Sequence, residues 1–271
     1  MRANATGLLG LYRGNRFLNV LLNDRGRVLI GMFALYLHYW SADGDSAPGL
    51  TVTRMQGLCA ETGVASGGRV RVLLSLMRAA AFLETVAGDD RRRQLLQPGD
   101  RLISMQRERW DLQIRTTAMV FPEVARAQQV LHRDDFVATL VRQLLDPFRA
   151  GFRVLEPIPE LILFSDRNAG LVILFDLLAS GTAGDTFPPR QPFPISISAL
   201  ARKFQVSRAH IQKLLRDAAK ERFIERIGDD QLRLLPRLSD AAQTFFAVVF
   251  AYFARGVRTA LEEIEGKAER Q

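Results

Sequence analysis

Cysteine and histidine are nearly missing from this chain. One thiol, Cys59, in 271 residues excludes an intramolecular disulfide and fits a reducing compartment. Histidine occurs as His38, His132 and His210 only, and none stands at a spacing that suits a zinc site or a catalytic triad. No Gly-rich turn ends in Lys-Ser or Lys-Thr, so there is no phosphate loop. The usual sequence grounds for an enzyme, a cofactor or a metal are therefore lacking, and none of these is expected. Long apolar runs are also scarce. Val28 to Trp40 and Phe245 to Ala254 fall short of the roughly 18 residues a membrane span needs. Met1 to Asn19 has no apolar leader core followed by a cleavage site. A cytoplasmic protein without membrane association is the expectation.

Basic charge is what the chain has in excess. There are 37 Lys plus Arg against 29 Asp plus Glu, a formal charge of +8. Such an excess is informative where it clusters. It does so between Ile197 and Arg233. Ile197, Leu200, Ala201 and Phe204 mark one helical face. Gln205-Val206-Ser207 interrupts it, and Ile211, Leu214, Leu215 and Ala218 mark a second. Ser207 suits the N-cap of that second helix, where a hydroxyl accepts from an otherwise unpaired amide. Phe223 to Ile227 alternates like a half-buried strand, Gly228-Asp229-Asp230 turns, and Gln231 to Leu235 returns. Helix, short turn, helix and hairpin describe a winged helix-turn-helix, whose second helix would enter a DNA major groove. Ser207, Arg208, Ala209, His210, Gln212, Lys213 and Arg216 would face outward there, and Arg226 and Arg233 lie on the hairpin. Short, basic and amide-bearing side chains suit phosphates and base edges.

The same pattern occurs a domain earlier. Leu58 to Val64 reads as a first helix and turn, Ser66 to Ala80 as a second helix, and Phe82-Leu83-Glu84 opens a hairpin turning at Gly88-Asp89-Asp90. Asp24-Arg25 and Asp166-Arg167 stand 142 positions apart, as do Phe33 and Phe175, and Leu58 and Leu200. Ser66 and Ser207, Phe82 and Phe223, and Glu84 and Glu225 stand 141 apart, and the two Gly-Asp-Asp turns 140. Order and chemistry kept together over such a span imply an internal duplication. The length also suggests about two domains, here residues 1–122 and 123–271. In the first repeat the candidate DNA contacts are Ser66, Arg69 and Arg71 on the helix and Arg91, Arg92 and Arg93 on the wing.

The remaining segments are expected to be helical. Leu8 to Leu22 reads as amphipathic, and Arg25 to Trp40 as a helix so apolar that it must be buried. Asn168 to Ala179 is its counterpart, with Asp176 as the one internal charge. Asp100 to Val120 turns Leu102, Met105, Trp110, Leu112 and Ile114 to its less polar sides. Asp134 to Phe148 and Ser239 to Glu265 complete the set, the last with an aromatic stripe fit for a core or a subunit interface. The fold class expected is mainly α with small β-wings: tandem duplicated winged helix-turn-helix domains whose long flanking helices form a pseudo-dimer.

This order of elements resembles the MarR family of winged-helix transcriptional regulators, duplicated in one chain. The resemblance spans almost the whole sequence, once per repeat. It implies double-stranded DNA as partner, pairing through terminal helices, and a possible small-molecule effector. It also implies that Asp90-Arg91-Arg92 orders a wing that reaches the minor groove. Three departures separate the halves. Asp230-Gln231-Leu232-Arg233 has no arginine directly after the aspartate, Gln205 stands where the family has a turn glycine, and Gly67-Gly68 opens the first recognition helix. The reading is thus a sequence-specific duplex-DNA regulator, a monomeric pseudo-dimer or a homodimer, on an asymmetric site. A plasmid-type replication initiator, which also carries two basic winged helices, is one alternative. A winged-helix protein-interaction module without DNA binding is another.

Overall fold

The computed structural model describes residues 1–12, 25–40, 49–86, 95–182, 184–228, 230–268 and 270. They form a mainly helical protein with two small antiparallel sheets. In order, the helices are α1 (Arg2–Tyr12), α2 (Arg25–Tyr39), α3 (Val52–Glu61) and α4 (Gly67–Ala79). Strands β1 (Leu83–Val86) and β2 (Leu95–Pro98) precede α5 (Asp100–Ala118), α6 (Ala127–Val130), α7 (Asp134–Arg149), α8 (Ile162–Ser165) and α9 (Gly170–Ala179). Then come β3 (Phe193–Pro194), α10 (Ile197–Phe204), α11 (Arg208–Lys220), β4 (Ile224–Ile227), β5 (Gln231–Leu234) and α12 (Pro236–Ala268). α1 begins six residues before the helix expected from Leu8. The rest of that expected segment, the loop from Ser41 and the turn at Gly88-Asp89-Asp90 lie outside the described residues.

The chain divides into two compact units, each assembled from separate stretches. One contains Met1–Arg25 and Val154–Ala251, the other Gly26–Arg153 and Tyr252–Gln271. The two units therefore interleave along the sequence.

In the first-named unit α9 is the centre. Val172, Ile173, Leu174, Phe175, Leu177 and Leu178 are all buried, so apolar neighbours must cover it nearly all round. α1 packs against it, with Ala5 and Leu9 buried one turn apart. Phe175 meets Phe245 and Phe246 of α12 with ring centroids 5.8 Å from each. Asp176, the single charge of α9, is only 14% exposed and is paired with Lys203 of α10, as a carboxylate this far from water requires. Gly170 opens α9 directly under the carbonyl of Phe164, where any Cβ would overlap that oxygen.

In the other unit α7 covers α2. Phe148 lies 6.1 Å from Phe33, and Tyr36 donates to Asp146 at 3.0 Å while accepting from Arg149 at 2.6 Å. Trp40, just past α2, donates to the Ala138 carbonyl at 2.8 Å under the Arg142 guanidinium. The C-terminal half of α12 crosses α7 where Gly256 leaves room for Leu144. There Tyr252 donates to the Leu144 carbonyl at 2.5 Å, and burial pushes its phenol up to about 12. On α5 the buried line is Leu102, Gln106, Trp110, Ile114 and Thr117, so Gln106 takes the core position expected of Met105. A strict run of four-residue steps from Leu102 to Ile114 selects it.

Cys59 is fully buried on α3, and burial pushes its thiol up to about 11. α12 is long and apolar enough by length and composition to cross a membrane, with an 18-residue window of mean hydropathy 1.3 of which 44% is buried. The window is longer than the apolar run from Phe245 to Ala254, because scattered charges interrupt that run without lowering the window mean enough.

Two outcomes follow from these packings. Gly170→Ala should destabilise the protein by about 1–3 kcal/mol, since the helix start has to move off the Phe164 carbonyl; chemical denaturation measures it. The Cys59 thiol should resist thiol-reactive dyes in the native protein near neutral pH and react on unfolding, because it is both inaccessible and protonated.

Candidate nucleic-acid interface

The segment from Ser196 to Leu235 builds a surface on short, local rules. Ser196 caps α10 by accepting from the Ala199 amide at 3.2 Å. The helix ends at Gln205, which adopts the left-handed conformation (φ 54°), and the Val206 amide reaches back to the Ala201 carbonyl at 3.1 Å. A left-handed non-glycine costs roughly 1–2 kcal/mol, and the closing hydrogen bond offsets part of it. Ser207 then starts α11, its hydroxyl accepting from the His210 amide at 3.0 Å. Ile211, Leu214, Leu215 and Ala218 bury the inner face. Arg222 takes a left-handed turn (φ 55°), and the Phe223 amide bonds to the Ala218 carbonyl at 2.9 Å. From there β4 runs out and β5 returns, with Ile224 opposite Leu234 and Ile227 opposite Gln231; β3 flanks β5 on its other edge.

With the inner face fixed, Ala209, Lys213, Arg216 and Lys220 form the outer ridge of α11, flanked by Arg208 and Gln212, and all six are exposed. Asp217 is the one carboxylate on this helix. It pairs with Arg167 at 2.5 Å, and that hydrogen bond holds it below the ordinary carboxylate range. The field of the ridge is therefore positive. A shallow groove between α10 and α11 is lined by Ser198, Ala201, Arg202, Val206 and Arg208, which sets two guanidinium groups at its edge.

Not every residue expected at this interface is available to it. His210 is half-buried, and its Nε2 lies 2.9 Å from the Asn168 carbonyl, so the ring is held toward the body of the unit. Arg233 is half-buried and bonds across the hairpin to Glu225 at 2.9 Å, opposite it in register. Arg226 is exposed on β4. Two further basic residues, Arg202 and Lys220, are exposed on the same surface. Both could have been found by extending the outward period of their helices.

The same local geometry recurs around α4. Gly63 takes the left-handed turn (φ 67°), the Val64 amide bonds to the Cys59 carbonyl at 3.0 Å, and Ala81 repeats the turn of Arg222 (φ 56°). The Phe82 amide bonds to the Met77 carbonyl at 2.8 Å. After each hairpin an arginine covers the phenylalanine ring, Arg101 over Phe82 at 4.6 Å and Arg237 over Phe223 at 4.9 Å. Val70, Leu73, Leu74 and Met77 are the buried face of α4. Its outer ridge is different: Gly68, Val72, Ser75 and Ala79 stand where α11 has Ala209, Lys213, Arg216 and Lys220. Arg69 and Arg71 are exposed beside that ridge, and Ser66 precedes the helix without a side-chain cap bond. Arg91, Arg92 and Arg93 lie outside the described residues.

No known protein family, curated protein or solved structure matches this chain. Among the described residues no group of His, Cys, Asp and Glu could hold a metal ion.

The two N-terminal serines offer a direct check on the helix starts. Ser207→Ala should cost about 1 kcal/mol, because a bonded cap is lost. Ser66→Ala should cost markedly less. Urea denaturation of the two variants would show the difference, and equal losses would contradict the two cap geometries.

Proposed function

We propose that this chain is a duplex-DNA-binding transcriptional regulator, built from two winged helix-turn-helix units in tandem. The observation that carries the reading is the outer ridge of α11. Lys213, Arg216 and Lys220 rise over a fixed apolar face, with Arg208 and Gln212 near the N-terminal half, and the nearby carboxylate of Asp217 is already neutralised. An exposed helix of this kind, preceded by a tight turn and followed by an antiparallel hairpin, has the form of a major-groove reader. Arg208 and Gln212 have the chemistry for base edges, since a guanidinium bonds guanine and an amide bonds adenine in paired fashion. Arg202, Lys213, Arg216, Lys220 and Arg226 supply phosphate contacts.

On this reading the DNA site is asymmetric. α11 carries the base contacts, whereas the corresponding ridge of α4 offers Ser75 as its only polar side chain. The resemblance to MarR-type regulators agrees with the element order, and the protein acts in the cytoplasm with its two repeats standing in for a dimer.

Selection of bound sequences from a random duplex library by the intact chain, followed by footprinting, tests the proposal. Affinity for the selected site should fall by orders of magnitude between about 50 mM and about 200 mM salt, as counterions are released by phosphate contacts. Arg208→Ala and Gln212→Ala should each cost about 1–3 kcal/mol and relax one position of the binding motif. Lys220→Ala should weaken binding to all sequences alike. A selected motif that Arg208→Ala leaves unchanged would remove α11 from the role of base reader.

A further inference from the structure

Val72 and Leu76 on α4 are, among the described residues, the one pair of large apolar side chains exposed a single helical turn apart, at 60% and 37%. They adjoin Gly68, Ser75 and Ala79, whose small side chains allow a second helix to approach toward the lower end of the usual spacing of about 8–10 Å. Arg71 and Arg78 are exposed on one side of the helix, beyond Ser75 from the apolar strip, and form no ion pair with any described residue. Arg69 is exposed on the other flank, and α4 has no acidic residue at all.

We propose that the outer face of α4 docks an acidic amphipathic helix of a partner protein. Leucine-like side chains of that helix would cover Val72 and Leu76, and flanking carboxylates would meet Arg71 and Arg78. The recognition is a helix laid on an apolar strip by anchors at i and i+4, with the flanking charges setting the partner's sign. Charge decides between occupants. A second copy of the chain, pairing face to face through this strip, would bring the arginines of both copies together. Duplex DNA would satisfy the arginines, but it would set Val72 and Leu76 against a polyanion and gain nothing from their burial. An acidic amphipathic helix satisfies both the apolar strip and the arginines. The inference does not depend on DNA binding by α11, since it concerns a different helix with different chemistry.

The test uses the full chain and two synthetic helical peptides of about 18 residues, long enough for partial helicity in water. Both carry leucines along one face; one is flanked by glutamates, the other by lysines. Fluorescence anisotropy should show binding of the glutamate peptide and none of the lysine peptide. Val72→Asp, Leu76→Asp and Arg71→Glu should each weaken the glutamate peptide by about tenfold or more, as expected for loss of an interface anchor. Lys213→Glu on α11 should leave it unchanged. Thermal unfolding checks each variant, and Val72→Ser reads the same contact should Val72→Asp fail to fold. Three results would overturn the proposal: equal binding of both peptides, binding indifferent to Val72 and Leu76, or loss of duplex-DNA affinity in a folded Val72→Asp. Sedimentation adds a fourth, namely self-association of the chain that Val72→Asp abolishes, which would give the face to a second copy.

Discussion

The rest of the structure depends on covering a helix that has no polar side to turn to water. α9 is apolar around almost its whole circumference, and its single carboxylate is matched by Lys203 from α10. Such a helix is stable only when surrounded, and no single neighbour can surround it. α1, α10 and the phenylalanines of α12 share the task, so segments distant in the sequence are bound into one unit. α2 makes the same demand, and α7 answers it through Phe148, Asp146 and the Ala138 carbonyl. α1 thereby shares a unit with α10 and α11, and α7 shares one with α3 and α4.

Against that shared requirement, the segments around α3–α4 and α10–α11 agree where the backbone is constrained. The left-handed turns at Gly63 and Gln205, and at Ala81 and Arg222, close α3, α10, α4 and α11 with matching amide-to-carbonyl bonds. Each hairpin is anchored by a buried phenylalanine under an arginine, Phe82 under Arg101 and Phe223 under Arg237. The outer ridges carry no such constraint, because their residues are exposed. There the two segments have taken opposite chemistry, lysine and arginine on α11, glycine, valine, serine and alanine on α4. A scaffold fixed by its core leaves the chemistry of an exposed ridge free to vary.

Much of this was legible from the order of residues. The apolar spacing in α10 and α11, the capping serine between them and the alternation in the hairpin are local signals, and they locate those elements to within one or two residues. The pairing of Ser66 with Ser207 and of Phe82 with Phe223 at one offset was equally visible, since it needs no knowledge of contacts. Other features had no local signature. His210 reads as an outward recognition residue by period, yet its ring is held by the Asn168 carbonyl, a group 42 positions away. Arg233 counts as a surface charge until the hairpin register sets Glu225 opposite it. Gln106 is polar and still occupies the buried line of α5, because four-residue steps and not side-chain type set that line.

The sequence by itself determined most of the long helices, the paired strands that follow α4 and α11 and the basic character of α11, because each is written in spacing over a few turns of chain. Tertiary structure alone decided which leading helix covers which apolar helix, which charges are consumed internally and which apolar side chains stay outside. Val72 and Leu76 show why. By type both belong in a core, and only the packing of Val70, Leu73, Leu74 and Met77 beneath them turns their side of the helix to solvent. Burial is a property of the assembled neighbours, and no residue carries it alone.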